Sequence, residues 1–172
     1  MKKIYITGVS GVGKTSILKE LKKKKFYTID IDSTPELCQW QNKKTRKKNS
    51  NIAKSTNWLN THVWICNIKK LKSLLNKKNQ KVIITAGITS NQNEYLDLFD
   101  TIFLLQAKEK TLLHRISIRT EHDFGKTQIE QKHILGSYKE FEKQLIKKGA
   151  IPINTEDSIE NITNIIISKI NL

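Results

Sequence analysis

The chain has 172 residues and a formal charge of +15, and lysine supplies 28 of its 31 basic residues. This charge fits either a polyanionic partner such as nucleic acid or the codon usage of an AT-rich genome, and both explanations stay open. Cys38 and Cys66 are too few for a disulfide framework and lack a metal spacing. No segment approaches the roughly 18 apolar residues of a membrane span, so we expect one cytoplasmic domain over residues 1–172 without a membrane partner.

A strand, a glycine-rich turn and an amphipathic helix open the chain. The strand is predicted over Lys3 to Thr7, and the helix carries an apolar stripe at Ile17, Leu18 and Leu21. The turn between them, Gly8-Val9-Ser10-Gly11-Val12-Gly13-Lys14-Thr15, matches the P-loop pattern G-x-x-x-x-G-K-[ST]. A glycine turn that only joins a strand to a helix has no need for Lys-Thr in register. The match therefore predicts a site for nucleotide phosphates.

The residue types of this turn each have a chemical reason. Glycines let successive backbone N–H groups approach phosphate oxygens at a helix N-terminus. The lysine contacts the β and γ phosphates, and the following hydroxyl ligates Mg²⁺. We predict that ATP binds here, with Lys14 as a catalytic residue and Thr15 as a metal ligand. The predicted binding residues are Gly8, Val9, Ser10, Gly11, Val12, Gly13, Lys14, Thr15 and Ser16.

Two carboxylates follow at the end of the second predicted strand, Phe26 to Ile31. Asp30 and Asp32 are separated by two, so they lie on one side of the strand. Carboxyl ends of strands in an open α/β sheet border the ligand crevice. Asp32 is predicted to hold Mg²⁺ or to orient an attacking hydroxyl, and Asp30 is a second candidate for such a role. Alternatively, both cap the following turn.

Residues 33–67 have mixed periodicity and read as an insertion, part helical and part mobile. Trp40, Trp58 and Trp64 either line a binding pocket there or form the core of a small subdomain. Beyond it, strands and helices alternate, which predicts an α/β fold with a parallel sheet. The predicted elements are a helix at Ile65 to Leu75, a strand at Val82 to Ala86, a helix at Asn93 to Phe99, a strand at Thr101 to Gln106, a helix ending at Arg119, one long helix carrying Ile134, Tyr138, Phe141 and Leu145, a strand at Ala150 to Ile153 with an edge position for Pro152, and a helix from Ile159 to Ile170.

Arg115 and Arg119 are four residues apart on one helix face, next to a polar loop. Forked guanidinium groups at such a place can stabilise the charge of a migrating phosphoryl group. In a chain that uses lysine almost everywhere, the choice of arginine favours this role. The alternative is a solvated helix edge paired with Glu109 or Glu121. The four histidines show no metal-ligand spacing and are predicted to be structural.

Together these motifs resemble the nucleoside monophosphate kinase and shikimate kinase branch of P-loop proteins, over nearly the whole chain. The resemblance implies a five-stranded parallel sheet of order 2-3-1-4-5 with helices on both faces. It also implies that residues 33–67 hold the phosphoryl acceptor, that residues 120–127 form a lid over ATP, and that residues 154–156 contact adenine.

Two departures leave the acceptor open. The segment Thr85-Ala86-Gly87-Ile88 lacks the Asp-Gly-x-Pro-Arg-like pattern of nucleotide kinases, and Arg46 is the one arginine of the insertion. We predict an ATP- and Mg²⁺-dependent kinase, a monomer or homodimer, that acts on a small hydroxylated or nucleotide-like acceptor. Its predicted catalytic residues are Lys14, Asp32, Arg115 and Arg119.

Two other functions compete with this prediction. A nucleic-acid-associated ATPase or polynucleotide kinase would use the lysine-rich surface around residues 43–48. A regulatory protein would bind the nucleotide with negligible turnover. The combination of Asp32 with an arginine pair favours catalysis.

Overall fold

A five-stranded parallel sheet forms the centre of the computed structural model, which describes residues 1–48, 55–77, 79–120, 123–136 and 138–170. The strands of these residues are β1 Lys2–Thr7, β2 Tyr27–Asp30, β3 Cys38–Asn42, β4 His62–Cys66, β5 Val82–Ala86, β6 Thr101–Gln106 and β7 Ile151–Asn154. The sheet has the order β2-β5-β1-β6-β7, and its neighbouring strands are parallel. Counted within this sheet alone, the order is 2-3-1-4-5, so the predicted fold class is confirmed.

Helices cover both faces of this sheet. The helices of the described residues are α1 Lys14–Lys23, α2 Thr56–Thr61, α3 Ile68–Leu75, α4 Glu109–Ile118, α5 Gln128–Leu135, α6 Tyr138–Lys147 and α7 Ile159–Ile170. None of them is both long and apolar enough to cross a membrane.

Two apolar cores lie on opposite faces of the sheet because side chains alternate along a strand. On β1, Ile4 and Ile6 point into the core under α1, α4 and α7, whereas Tyr5 points into the core under α3 and α6. The central strand is therefore fully covered, and its carboxyl end is fixed against both layers.

The described residues of segment 33–67 form a small antiparallel sheet and a short helix. Strand β3 pairs with β4, which places Cys38 opposite Cys66 and Trp40 opposite Trp64. Helix α2 directly precedes β4, and its start is capped by Ser55, whose hydroxyl accepts from the Trp58 backbone N–H. The expectation of a partly helical insertion is borne out by α2, whereas residues 49–54 lie outside the described residues.

The predicted helix from Asn93 to Phe99 is wrong. The segment instead makes two 3₁₀ turns, Gln92–Glu94 and Leu96–Leu98, separated by Tyr95. Tyr95 and Phe99 both pack on the ring of Tyr5, with ring centroids 5.8 Å and 4.9 Å away. Packing two large side chains against one buried ring decides the conformation here, so tertiary contacts override the helical spacing.

Two further helix predictions need correction. The helix predicted from Ile65 begins at Ile68, because the Asn67 side chain caps it by accepting from the Lys70 backbone N–H at 3.2 Å. The long helix predicted through residues 134–145 is two helices, α5 and α6, and α5 ends at Leu135 with Gly136 as its C-cap. The break has a physical reason. Ile134 packs in one core and Leu145 in the other, so the chain must change faces of the sheet between them.

The predicted end of α6 at Gly149 is observed. Its φ is +86°, a left-handed conformation that favours glycine. The Ala150 backbone N–H donates to the Leu145 carbonyl, and the Gly149 N–H donates to the Ile146 carbonyl. This is the Schellman pattern that satisfies the last helical carbonyls. It turns the chain into β7, where Pro152 occupies the predicted edge strand.

Candidate active site

The P-loop lies between β1 and α1, at the carboxyl end of the central strand. Gly8, Gly11 and Gly13 have φ values of +148°, +84° and +102°, which side chains with a Cβ rarely adopt. A Cβ on Gly8 would lie 2.6 Å from the Leu105 carbonyl oxygen, and one on Gly11 would lie 2.8 Å from that of Leu112. The loop conformation therefore requires glycine, and it leaves the backbone free to approach a ligand closely.

Lys14 directs its ammonium group into this loop. Nζ donates to the Gly8 carbonyl oxygen at 2.7 Å and to the Val9 carbonyl oxygen at 3.1 Å. Burial lowers the pKa of Lys14; nearby carboxylates, Asp32 first among them, oppose that shift, and Arg119 adds to it. The predicted residues Lys14, Asp32 and Arg119 therefore lie within electrostatic range of one another at one edge of the sheet.

Thr15 and Ser16 are exposed on the first turn of α1. Mg²⁺ prefers oxygen ligands and is usually held by one or two protein groups together with substrate phosphates. Within the described part of the chain, no three histidine, cysteine, aspartate or glutamate residues gather into a metal site. The Thr15 hydroxyl and the Asp32 carboxylate are the oxygen donors of the type that fits Mg²⁺ brought by a nucleotide.

Asp30 caps the turn after β2, which is the structural role given above as the alternative to a role in catalysis. Its Oδ1 accepts from the backbone N–H groups of Asp32 at 3.0 Å and Ser33 at 3.2 Å. The same turn is closed by Thr34, whose backbone N–H donates to the Asp30 carbonyl at 2.9 Å. Asp30 thus fixes the turn that carries Asp32.

Asp32 is contacted from two separate segments. Its Oδ1 accepts from the indole Nε1 of Trp64 at 3.0 Å, and a Cβ on Gly87 in the loop after β5 would lie 3.5 Å from its Oδ2. Asp32 is an exposed residue, but the neighbouring protein desolvates its carboxylate in part. This partial desolvation raises the pKa of Asp32, whereas the Lys14 charge and the Trp64 hydrogen bond lower it.

The two predicted arginines occupy different places. Arg119 reaches across the P-loop, where Nη1 donates to the Ser10 hydroxyl at 2.9 Å. Arg115 instead donates from Nη1 to the Thr155 hydroxyl at 3.0 Å and from Nη2 to the Thr155 carbonyl at 2.6 Å. Its Nη1 also lies 3.4 Å from the Val12 carbonyl oxygen. Arg115 therefore joins the P-loop to the loop after β7, and the predicted alternative partner Glu121 lies outside the described residues.

The loop after β7 is tied to the start of α4. Glu156 accepts from the Lys108 backbone N–H at 2.8 Å and from the Thr111 hydroxyl at 3.0 Å. These hydrogen bonds and the neighbouring positive charges hold the pKa of Glu156 below its usual range. A carboxylate at a helix N-terminus also complements the helix dipole. Residues 154–156, the predicted adenine contact, thus form a braced loop next to Arg115.

Aromatic side chains form the wall beyond Asp32. The Trp40 ring lies 5.5 Å from that of Trp64, 4.8 Å from that of Trp58 and 6.3 Å from that of Phe124. Trp58 is buried, with 8% of its surface exposed, and stacks on His62. Trp40 and Trp64 are half-buried. Trp58 therefore fits the subdomain-core interpretation, whereas Trp64 contacts the candidate site residue Asp32.

The residues that sequence reasoning missed support the loop after β5. The Tyr5 hydroxyl donates to the Gly87 carbonyl at 3.0 Å, and Thr7 donates to Gln92 Oε1 at 3.2 Å. A Cβ on Gly87 would lie 2.7 Å from Cβ of Ile31, so this loop packs directly against the residue before Asp32. No local motif marks these residues, because they are brought together only by the sheet.

A family model matches most of the chain. The model described as an AAA domain matches residues 4–136, which include the P-loop, the small sheet and both arginines. The chain therefore belongs to the AAA domain family. A search of curated proteins finds no match.

Several solved structures with a similar fold are kinases by their titles. The deoxyadenosine kinase of M. mycoides with bound dATP is 19% identical, with a TM-score of 0.60 and 100% of both chains covered. Shikimate kinase from Acinetobacter baumannii in complex with shikimate is 17% identical, with a TM-score of 0.60 over 99% of this chain and 93% of the other. A gluconokinase from Sinorhizobium meliloti is 15% identical, with a TM-score of 0.58 over 98% and 91%. These likenesses agree with the resemblance inferred from the motifs and establish the fold.

Proposed function

We propose that this chain is an ATP- and Mg²⁺-dependent phosphotransferase that acts on a small hydroxylated or nucleotide-like acceptor. The observation that carries the proposal is the convergence of Lys14, Arg119 and Asp32 at the carboxyl edge of the sheet. Two cationic groups beside the P-loop suit a polyphosphate, and a carboxylate opposite them suits an attacking hydroxyl. Kinases that share the fold support the same activity.

On the nucleotide side, the P-loop backbone and Lys14 would bind the β and γ phosphates. Phosphate oxygens would replace the Gly8 and Val9 carbonyls as partners of Lys14 Nζ. Arg119 would contact the migrating phosphoryl group from the position it holds beside Ser10. Arg115 would act indirectly, by holding the loop after β7 against the P-loop where adenine binds.

On the acceptor side, Asp32 would accept a hydrogen bond from the acceptor hydroxyl and take up its proton. The hydroxyl oxygen then attacks the γ phosphorus, the bond to the β-γ bridging oxygen breaks, and ADP leaves. Mg²⁺, held by the Thr15 hydroxyl and Asp32 with the phosphates, would neutralise phosphate charge. Phosphoryl transfer needs mainly positioning and charge stabilisation, which these residues supply.

Residues 33–67 would hold the acceptor, and residues 120–127 would form a lid. Both segments would belong to a single kinase domain. Trp40 and Trp64 offer half-buried aromatic surface beside Asp32. The insertion's single arginine, Arg46, is exposed in the turn after β3. This combination favours an acceptor with a ring and a free hydroxyl, such as a nucleoside, over an acceptor that a guanidinium clamp must bind.

The test is ADP release from ATP and Mg²⁺ by the purified protein against a panel of nucleosides, nucleotides, hydroxy acids, sugars, antibiotics and short RNA. We expect one class of small molecule to stimulate release, and Asp32→Asn to reduce it by roughly 100-fold or more. Asp30→Asn is the matched control, because an amide oxygen can keep the turn closed. Release that no acceptor stimulates would contradict the proposal. Stimulation by RNA alone would favour a polynucleotide kinase instead.

A further inference from the structure

The candidate catalytic carboxylate Asp32 is oriented from the insertion. Indole Nε1 of Trp64 donates to Asp32 Oδ1 at 3.0 Å, although 32 residues separate them in the sequence. Gly87, in the loop after β5, packs beside the same carboxylate, since a Cβ there would lie 3.5 Å from Asp32 Oδ2. A hydrogen bond to one carboxylate oxygen together with packing beside the other restricts the rotation of the carboxylate.

Trp64 is itself fixed by backbone and ring contacts. Its carbonyl accepts from the Ser90 backbone N–H at 2.8 Å, and its strand position is opposite Trp40 in the small sheet. The Trp40 ring packs on it at 5.5 Å and then on Phe124 at 6.3 Å. The indole N–H is therefore presented to Asp32 by a side chain whose backbone is paired in a strand and whose ring is packed on Trp40.

Trp58 provides an internal comparison. Its Nε1 is buried and makes no hydrogen bond within the described residues. Trp58 and Trp64 both pack against the ring of Trp40. Of these two, only Trp64 donates its indole N–H to a residue of the candidate site. The contrast separates the packing role of an indole ring from the positioning role of its N–H group.

We propose that Trp64 is a positioning residue that holds Asp32 in the orientation required for attack by the acceptor hydroxyl. The inference rests on the proposed function and extends it, because it makes the acceptor-binding segment part of the apparatus that orients the catalytic carboxylate. Small misplacements of a reacting group cost large factors in rate, so one hydrogen bond suffices for a measurable effect.

The experiment compares Trp64→Phe with Trp58→Phe, using the acceptor that stimulates the wild-type protein. Both variants keep an aromatic ring and lose one N–H group. We expect Trp64→Phe to lower kcat by roughly 10- to 100-fold while the acceptor KM changes by less than about threefold. Trp58→Phe should leave both constants near the wild-type values. Equal kcat values for Trp64→Phe and the wild type would overturn the inference.

A double-mutant cycle tests whether Trp64 acts through Asp32. In an Asp32→Ala background, Trp64→Phe should cause no further loss of kcat, since its partner is already removed. If the double variant lost kcat by the product of the two single-variant factors, the two residues would act independently and the inference would be overturned. A wild-type protein that phosphorylates no acceptor would overturn the proposed function and this inference together. In that case every variant would also be inactive, which distinguishes this outcome from a failure of the inference alone.

A spectroscopic measurement checks the contact without activity. The chain has three tryptophans, so a ¹⁵N-labelled sample gives three indole N–H signals, of which Trp64→Phe identifies one. Asp32→Ala should shift that signal and leave the Trp58 signal in place. An unmoved Trp64 signal would show that the hydrogen bond does not form in solution and would overturn the inference.

Discussion

The two sides of the cleft are built in different ways. The proposed phosphate side is centred on one contiguous segment, the P-loop, whose glycine backbone and Lys14 form it, and Arg115 and Arg119 contact this segment from α4 and its end. The proposed acceptor side would be assembled from side chains that are distant in sequence: Asp32 in the turn after β2, Trp64 in β4 and Phe124 in the predicted lid loop. A backbone-built site suits a ligand common to many enzymes, and a side-chain-built site can change its specificity by substitution.

The largest losses of stability and ATP binding are expected from a substitution in the P-loop backbone. In Gly11→Ala, the new Cβ would meet the Leu112 carbonyl oxygen and the Ile116 side chain at 2.8 Å, with φ at +84°. We expect a loss of roughly 3 kcal/mol or more in unfolding free energy and no measurable ATP binding. Chemical denaturation and calorimetric titration measure the two quantities.

Gly149→Ala is the matched control for that variant. Its φ is also positive, at +86°, but a Cβ there would meet nothing within 4 Å. It should cost about 1 kcal/mol of stability and leave ATP binding intact. Equal losses in the two variants would show that crowding in the P-loop contributes nothing.

The arginines divide the phosphate side into a part that contacts phosphate and a part that braces the loops. We expect Arg119→Ala to lower kcat by roughly 100-fold, because the guanidinium beside Ser10 is lost. Arg115→Ala should mainly raise the KM for ATP, because it releases the Thr155 loop from the P-loop. Steady-state kinetics with ATP and acceptor varied separately measure these constants. If the two roles are exchanged, Arg115→Ala would lower kcat and Arg119→Ala would raise the KM for ATP.

The acceptor side is expected to respond more weakly to loss of its lid contact. Phe124→Ala removes the ring that packs on Trp40, an aromatic contact worth about 0.5–1.5 kcal/mol. The acceptor KM should rise by roughly 3- to 10-fold while the KM for ATP stays unchanged. Phe124→Leu, which keeps an apolar side chain, should recover part of the loss. An effect on ATP alone would place Phe124 on the phosphate side.

The smallest effect concerns Glu156 and pH. Hydrogen bonds from Lys108 and Thr111 hold the pKa of Glu156 below its usual range in the folded protein. The unfolded state therefore binds the proton more readily, so this stabilisation is complete above the ordinary glutamate pKa and is lost as pH falls through the lowered value.

Glu156→Gln should accordingly lower the thermal midpoint at about pH 7, and the difference from the wild type should shrink at about pH 3.5. Glu94→Gln, which removes an exposed charge in a 3₁₀ turn, is the control for the loss of one negative charge. A constant difference at both pH values would contradict the assignment.

Sequence reasoning was most successful where the signal is local. The P-loop, the strand Val82–Ala86 and the edge position of Pro152 follow from short patterns, and the structure has them in place. It failed at Tyr95, where packing on Tyr5 replaces a helix by 3₁₀ turns. It also missed Trp64 as the partner of Asp32, because the pairing of β3 with β4 creates that contact.

The candidate catalytic roles stay predictions, as do the lid, the cytoplasmic location and the oligomeric state. Lys14, Asp32 and Arg119 were predicted from separate motifs and lie together in the structure. Arg115 was predicted with them, but its hydrogen bonds go to the loop after β7. Helix spacing alone places two arginines on one face and says nothing about how far each guanidinium reaches.

The central claim is transfer of the γ phosphoryl group from ATP to an acceptor, and the most direct measurement is the mass of that acceptor after incubation with ATP and Mg²⁺. We predict that wild-type protein adds one phosphoryl group to the stimulating acceptor. Lys14→Ala, folded as judged by circular dichroism, should add none within the same time. Transfer at the wild-type rate by Lys14→Ala, or hydrolysis of ATP with an unmodified acceptor, would contradict the account.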